Sequence, residues 1–287
     1  MGTSAMKIRS IFFVPVSFLF LPLVAQIEES YSIVDILKYL NPTTHPERML
    51  IVLDLDNMVL VNNVEPDDQL GSPQWLGAMI RKKMQVSGLT KLQALEYTLP
   101  IHFKLVPYVT LTPVEGEITV SFIRLLQQAG YKVIAVTARS PEHCKKETLA
   151  QLNQMGIDFC KSRIGDRDHI FSDRFEYVHG VAFVAGGNKG ERLWQLLQIL
   201  EYIPDTILVV DDKDYYLYEY EGVLKQYGIP HTCLWYRYCD DMADTYDLSC
   251  SEKTVQKLRQ SDAELDALYT IWSQGDTQHA NFYTQTY

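Results

Sequence analysis

The chain has 287 residues, of which 47% are apolar, 11% aromatic and 22% charged, a composition that buries a core and excludes intrinsic disorder. Its 26 Lys and Arg stand against 36 Asp and Glu, a net charge of -10 with no basic run, which speaks against nucleic acid and anionic membrane surfaces as partners. At this length one large domain, or a domain with a sizeable insertion, is expected.

The N-terminus reads as a targeting segment. Lys7 and Arg9 precede an apolar run from Ile11 to Val24, and Ala25 and Gln26 come before the first acidic residue, Glu28. A basic start, a short apolar middle and a small residue near the cut form the layout of a secretory signal peptide. A spanning helix needs about 20 apolar residues, whereas this run is shorter and is interrupted by Pro15 and Pro22. Residues 1–25 are therefore expected to be cleaved, leaving an exported protein, periplasmic or secreted, with no stable membrane insertion.

Past this segment a strand followed by a helix recurs. Met49 to Leu53, Lys132 to Val136, Val181 to Ala185 and Thr206 to Val210 are short, nearly continuous apolar runs, the pattern of strands buried on both faces of a parallel sheet. Amphipathic stretches at Glu117 to Gln128, Pro141 to Met155, Gly190 to Ile199 and Tyr218 to Tyr227 predict helices, so the fold class is α/β with a doubly wound, Rossmann-like parallel sheet. The rhythm breaks after the first strand. There Ser72 and Pro73 read as a helix N-cap and first position leading into Trp75 to Met84, and Thr90 opens a second helix that Pro100 should kink or end.

Residues 61–112 are thus read as a small helical insertion over the site, and 27–60 with 113–250 as the α/β core. Residues 251–287 are read as one helix, with Val255, Leu258, Leu265, Leu268 and Trp272 on its apolar face, and a polar tail. The cysteines Cys144, Cys160, Cys233, Cys239 and Cys250 are odd in number, which leaves at least one unpaired. They match no zinc spacing, and buried thiols with at most one disulfide are expected.

Each of the four apolar runs ends in polar residues, and active sites of doubly wound sheets lie beyond the carboxyl ends of the strands. The first run ends in Asp54-Leu55-Asp56, the second in Thr137-Ala138-Arg139, the third in Gly186-Gly187-Asn188 before Lys189, and the fourth in Asp211-Asp212. Each has an ordinary reading: Thr137 as an N-cap, Lys189 as a surface lysine, the aspartates as turn residues. As an ordered set they suit one chemistry. A carboxylate nucleophile, Asp54, attacks phosphorus and splits hydrolysis into two displacements. Asp56, two residues on and on the same side of an extended chain, serves as general acid and then as base. Crowded carboxylates and phosphate call for a hard cation such as Mg²⁺, held by Asp54, Asp56 and Asp212, with Asp211 as a further candidate. Thr137 donates to a phosphoryl oxygen, and Lys189 balances charge on Asp54 and on the transferring group.

On these motifs, over roughly residues 47 to 240, the chain resembles the haloacid dehalogenase superfamily of phosphohydrolases. The resemblance implies that Asp54 is the nucleophile, that Asp56 marks a phosphatase and offers its main-chain carbonyl to magnesium, and that the insertion after the first strand is a cap admitting small substrates. Met58 departs from the family pattern, which prefers Thr or Val there. The stretches Gly71 to Trp75, Val136 to Arg139 and Val210 to Lys213 look like an unassigned branch from intracellular bacteria, similar to a secreted effector tyrosine phosphatase.

The expected function is thus a Mg²⁺-dependent phosphomonoester hydrolase acting on a phosphorylated substrate, either phosphotyrosine or a small metabolite. A phosphotransferase or phosphomutase would use the same residues, and a non-catalytic binding module of the same fold is the alternative outside enzymes. No cysteine is followed by Arg at the sixth position, and no Gly-x-Ser-x-Gly occurs, which excludes a cysteine-dependent tyrosine phosphatase and a serine hydrolase of that type. Arg139 is open between substrate contact and a surface or supporting role. The tyrosines Tyr215, Tyr216, Tyr218 and Tyr220 are expected to form the core and surface of a helix rather than a specificity wall.

Overall fold

The computed structural model describes residues 27–40, 45–62, 70–241 and 246–274. The leader expected over 1–25 and the polar tail beyond residue 274 lie outside the described residues. In chain order the first half contains β1 (Ile27–Ser30), β2 (Met49–Leu53), β3 (Leu60–Asn62), α1 (Pro73–Ser87), α2 (Lys91–Leu105), β4 (Leu111–Pro113), α3 (Glu117–Gln128), β5 (Lys132–Thr137) and α4 (Pro141–Gln154). The second half contains β6 (His169–Ser172), β7 (Phe175–Val178), β8 (Val181–Phe183), α5 (Lys189–Ile199), β9 (Thr206–Asp211), α6 (Asp214–Gln226), β10 (His231–Tyr236), α7 (Glu252–Ser261) and α8 (Ala263–Gln274).

The main sheet runs in the order β1-β10-β9-β2-β5-β8-β7-β6. It is parallel from β1 through β8 and antiparallel at the β8-β7 and β7-β6 edge. The continuous apolar run of β2 has a direct cause. Met49, Ile51 and Leu53 pack with Ile123 and Leu126 of α3 on one face, while Leu50 and Val52 pack with Leu193 and Leu196 of α5 and Tyr220 of α6 on the other. Successive side chains of a strand point to opposite faces, so a strand covered on both sides is apolar at every position. β1, β6, β7 and β10 were not expected from the sequence. The β6 segment alternates between half-buried and exposed positions, and β10 starts with His231 and Thr232, so neither shows the apolar run that marks the central strands.

Between β2 and α3, β3 and β4 pair antiparallel as a separate two-stranded sheet, and α1 and α2 form the cover. Ser72 Oγ accepts from the Trp75 N–H at 2.9 Å, and Pro73 occupies the first turn. Thr90 and Gln93 close a reciprocal cap on α2, which satisfies N–H groups that a helix start leaves unpaired. Of the two outcomes expected at Pro100, a kink or an end, the helix does not end there, because α2 runs through it to Leu105. Proline forfeits one N–H bond within a helix, and the buried face made by Tyr97, Ile101 and Leu105 carries the helix past that loss.

The C-terminal region also differs from its expected form. It makes two helices, broken at Asp262, whose Oδ1 accepts from the Leu265 N–H at 3.0 Å and starts the second. Val255, Leu265 and Tyr269 join Leu70, Trp75, Met79, Ile101 and Leu105 in a third cluster, so α7 and α8 pack on the helical cover. Trp272 Nε1 donates to Thr98 Oγ1 at 3.1 Å, and Lys83 Nζ donates to the Trp272 carbonyl and lies over the Tyr97 ring. All five cysteines are free thiols, without the disulfide that the sequence allowed. No helix among the described residues is long and apolar enough to cross a membrane.

Candidate active site

The sheet order places β2 between β9 and β5, so the loop after β2 stands between the loops after those two strands. Asp54 N–H donates to the Val210 carbonyl at 2.9 Å, which keeps it in register with β9. The chain then turns back on itself. The Leu55 carbonyl accepts from the N–H groups of Met58, Val59 and Leu60, and Asn57 takes a left-handed backbone conformation, φ 64°, a region that asparagine tolerates better than most residues. Met58, the departure from the family pattern, is fully buried in the core and contributes its backbone to this turn.

Lys189 and two aspartates form the buried centre. Asn188 caps α5 by accepting from the Glu191 N–H at 2.9 Å, so Lys189 begins the helix. Its Nζ donates to Asp54 Oδ1 at 2.6 Å and to Asp211 Oδ2 at 2.7 Å, and it stands 4.1 Å from the Tyr216 ring centroid. Lys189 is 0% exposed and Asp54 6%. Helix α5 sits close against α6, because a Cβ on Gly190 would meet the Glu219 carbonyl oxygen at 2.4 Å.

Burial pushes the Asp54 carboxyl well above its ordinary range; Lys189 opposes that shift, while Asp211, Asp212 and Asp56 add to it. Burial likewise raises Asp211, to about 6. For Lys189 burial favours the neutral amine, but Asp211 and Asp54 outweigh it and hold the ammonium. The floor therefore carries more carboxylate than its one lysine balances.

Asp212 lies beside this centre. Its Oδ2 accepts from Asn57 Nδ2 at 3.0 Å and from Lys213 Nζ at 2.8 Å, and its carbonyl accepts from Trp235 Nε1 at 3.2 Å. Asp54, Asp211 and Asp212 each present a carboxylate oxygen, and these lie within 4.8 Å of one another. Hard oxygen donors whose mutual repulsion already favours protonation suit a divalent cation such as Mg²⁺. The Asp56 carboxylate is not part of this group.

Asp56 faces Arg139 instead. Arg139 Nε donates to Asp56 Oδ2 at 3.0 Å and Nη2 to Oδ1 at 2.7 Å, while Nη1 reaches Thr148 Oγ1 at 2.8 Å and Gln151 Oε1 at 3.1 Å. The bidentate fork is the geometry that best matches a carboxylate. Burial would raise the Asp56 carboxyl, but Arg139 outweighs it and holds the group below its ordinary value. Thr137 is fully buried, and its Oγ1 accepts from the Arg139 N–H at 3.2 Å.

A cavity of about 380 Å³ opens above these groups, lined by Asp54, Asp56, Arg139, Lys189 and Asp212 below and by residues of the cover above. Gln74 Nε2 on α1 donates to Asn57 Oδ1 at 3.1 Å, which ties the cover to the Asp54 loop. Tyr220 is core and Tyr218 is exposed, as read from the sequence, whereas Tyr215 and Tyr216 line the cavity. Sequence reasoning left the role of Arg139 open and missed Asn57, His102 and Lys213. Arg139 (two residues beyond Thr137), Asn57 (directly after Asp56) and Lys213 (directly after Asp212) are traceable by adjacency to the motifs, whereas no local pattern marks His102.

Among solved structures, the chain is similar to a hydrolase of the haloacid dehalogenase-like family from Streptococcus pneumoniae, at 12% identity and a TM-score of 0.39, covering 64% of this chain and 83% of that one. It is also similar to a structure described as a phospho-aspartyl intermediate analogue of phosphoserine phosphatase, at 18% identity and a TM-score of 0.34, covering 69% of this chain and 98% of that one. No curated protein sequence matches the chain. A family model described as "Protein of unknown function (DUF2608)" matches residues 29–274, and the chain belongs to that family.

Proposed function

We propose that the protein is a phosphomonoester hydrolase of the haloacid dehalogenase type that works through an aspartyl-phosphate on Asp54. The observation that carries this reading is the buried Asp54-Lys189-Asp211 triad beside Asp212, at the carboxyl edge of a parallel sheet and open to a cavity. In the first step an Asp54 oxygen attacks phosphorus, the ester P–O bond breaks, and the leaving oxygen takes a proton. In the second, water attacks the aspartyl-phosphate, Asp56 accepts its proton, and the bond from phosphorus to Asp54 breaks.

As held by Arg139, Asp56 is a carboxylate and suits the second step. Its role as acid in the first requires that pair to open with a proton on Asp56. Lys189 Nζ, fixed 2.6 Å from Asp54, balances charge on the nucleophile and on the transferring group, and Thr137 supplies a hydroxyl at the end of β5. Asp54, Asp211 and Asp212 would hold Mg²⁺, which when bound neutralises phosphoryl oxygens.

The test is hydrolysis of para-nitrophenyl phosphate with Mg²⁺ and with EDTA, beside Asp54→Asn. Turnover that needs both the cation and Asp54 is expected. Turnover by Asp54→Asn at the parent rate would rule out the assigned nucleophile. Metal binding with no turnover on any ester would favour a non-catalytic module.

A further inference from the structure

Above the charged floor, the cavity wall has a different chemistry. It is built by Leu76, Leu95, Leu99, Phe103, Val106 and Val109, all from the segment inserted between β3 and β4. We propose that this site takes phosphomonoesters whose leaving group is uncharged and apolar, seated against that wall. The inference rests on the phosphatase reading and extends it to the substrate class.

Two observations support it independently of the wall's composition. First, the cations that line the cavity are already committed. Lys189 is paired with Asp54 and Asp211 and Lys213 with Asp212, and Arg139 is paired with Asp56 and, where that pair opens for the first step, is still held by Thr148 and Gln151. Lys91 also lines the cavity but is exposed. A leaving group bearing a carboxylate or a further phosphate would therefore lose its water without gaining an enclosed counter-charge.

Second, besides Lys91, the polar side chains that β3 and the inserted segment bring to the cavity are Asn62 and His102. Asn62 Nδ2 donates to the Leu70 carbonyl at 3.1 Å. His102 lies between the Trp75 and Phe103 rings, and its burial drives the imidazole to the neutral form. A sugar or glycerol unit seated against this wall would face mainly aliphatic side chains, with His102 Nδ1, unpaired among the described residues, as the exception. Ser140, Gln151, Tyr215 and Tyr216 line the cavity from the core side, and hydroxyls left unpaired bind poorly in an apolar seat. The volume, about 380 Å³, is in the range of small-molecule sites and holds a short chain or a ring together with the phosphate.

The experiment compares kcat/KM of the purified protein with Mg²⁺ on n-hexyl phosphate, glycerol 3-phosphate, glucose 6-phosphate and phosphoserine. All four leave as primary alkoxides, so the comparison isolates the seat from intrinsic reactivity. Hexyl phosphate is expected to exceed each polar ester by about tenfold or more, and Leu99→Gln to narrow that ratio several-fold. Equal or inverted rates on the wild-type protein would overturn the proposal whether or not the variant folds. Acetyl phosphate, which needs neither the apolar seat nor a proton donor, separates the failures. If it is hydrolysed but hexyl phosphate is not preferred, only the substrate class falls. If acetyl phosphate and all the esters are inert, the phosphatase reading falls and takes the substrate class with it.

Discussion

The floor and the roof of the cavity solve opposite problems. The floor gathers Asp54, Asp56, Asp211, Asp212, Lys189 and Arg139 at the edge of the sheet, where each carboxylate meets a cation and Asp54 and Asp211 share one, Lys189. The roof is chiefly α1 and α2, whose Leu76, Leu95, Leu99 and Phe103 line the cavity and whose Trp75, Met79, Ile101 and Leu105 pack with α7 and α8. Charge in a poorly solvated place is costly unless paired, whereas apolar packing is non-directional and tolerates changes of shape only where volume is kept. The floor is therefore intolerant of changes in charge, and the roof of changes in volume.

The sharpest test separates activity from stability on the floor. Asp54→Asn removes the oxygen proposed to attack phosphorus and is expected to lower turnover by at least about 1,000-fold, or about 4 kcal/mol in the barrier. Because burial and neighbouring carboxylates already penalise the Asp54 charge, the same variant should melt no lower than the parent. A parallel fall in activity and melting temperature would mean that Asp54 serves mainly to hold Lys189.

Lys189→Met has the converse signature. It leaves Asp54 and Asp211 buried without their cation, and breaking such a pair costs about 3–5 kcal/mol, to be read as a fall in the urea midpoint together with lost turnover. On the roof, Leu265→Ala removes a fully buried side chain from the cluster joining α8 to α1 and α2. A cost of about 3 kcal/mol is expected in chemical denaturation, with KM rising more than kcat falls because the floor keeps its pairs. A pure kcat effect would show instead that the roof positions the reacting groups.

The smallest effect is a pH dependence. Burial lowers the His102 pKa from 6.5 to about 4. As pH falls between those values the unfolded chain binds the proton before the folded one does, so stability contributed by neutral His102 is present above about 6.5 and is lost toward 4. His102→Phe should flatten the decline in melting temperature over that window, by about 2–4 °C for each kcal/mol of this linkage that is removed. Asp211, raised to about 6, acts with the opposite sign in both proteins and cancels in the difference.

Much of this was legible in the residues themselves. The continuous apolar runs identified β2, β5, β8 and β9, since burial on both faces leaves no polar position. Ser72-Pro73 and Thr90 marked the helix starts of the cover through local capping chemistry, and the polar strand ends named Asp54, Asp56, Thr137, Lys189, Asp211 and Asp212 in order. Local chemistry could not reveal that Asp56 faces Arg139, 83 residues away, or that Lys189 bridges to Asp54 across 135 residues. Nor could it reveal that α7 and α8 cover the inserted helices. Periodicity and capping are set by neighbours along the chain, and they determined the strands, the helix starts and the candidate residues. The pairing of buried charges and the apolar seat above them depend on which strands lie side by side and which faces meet, and only the tertiary structure decided those.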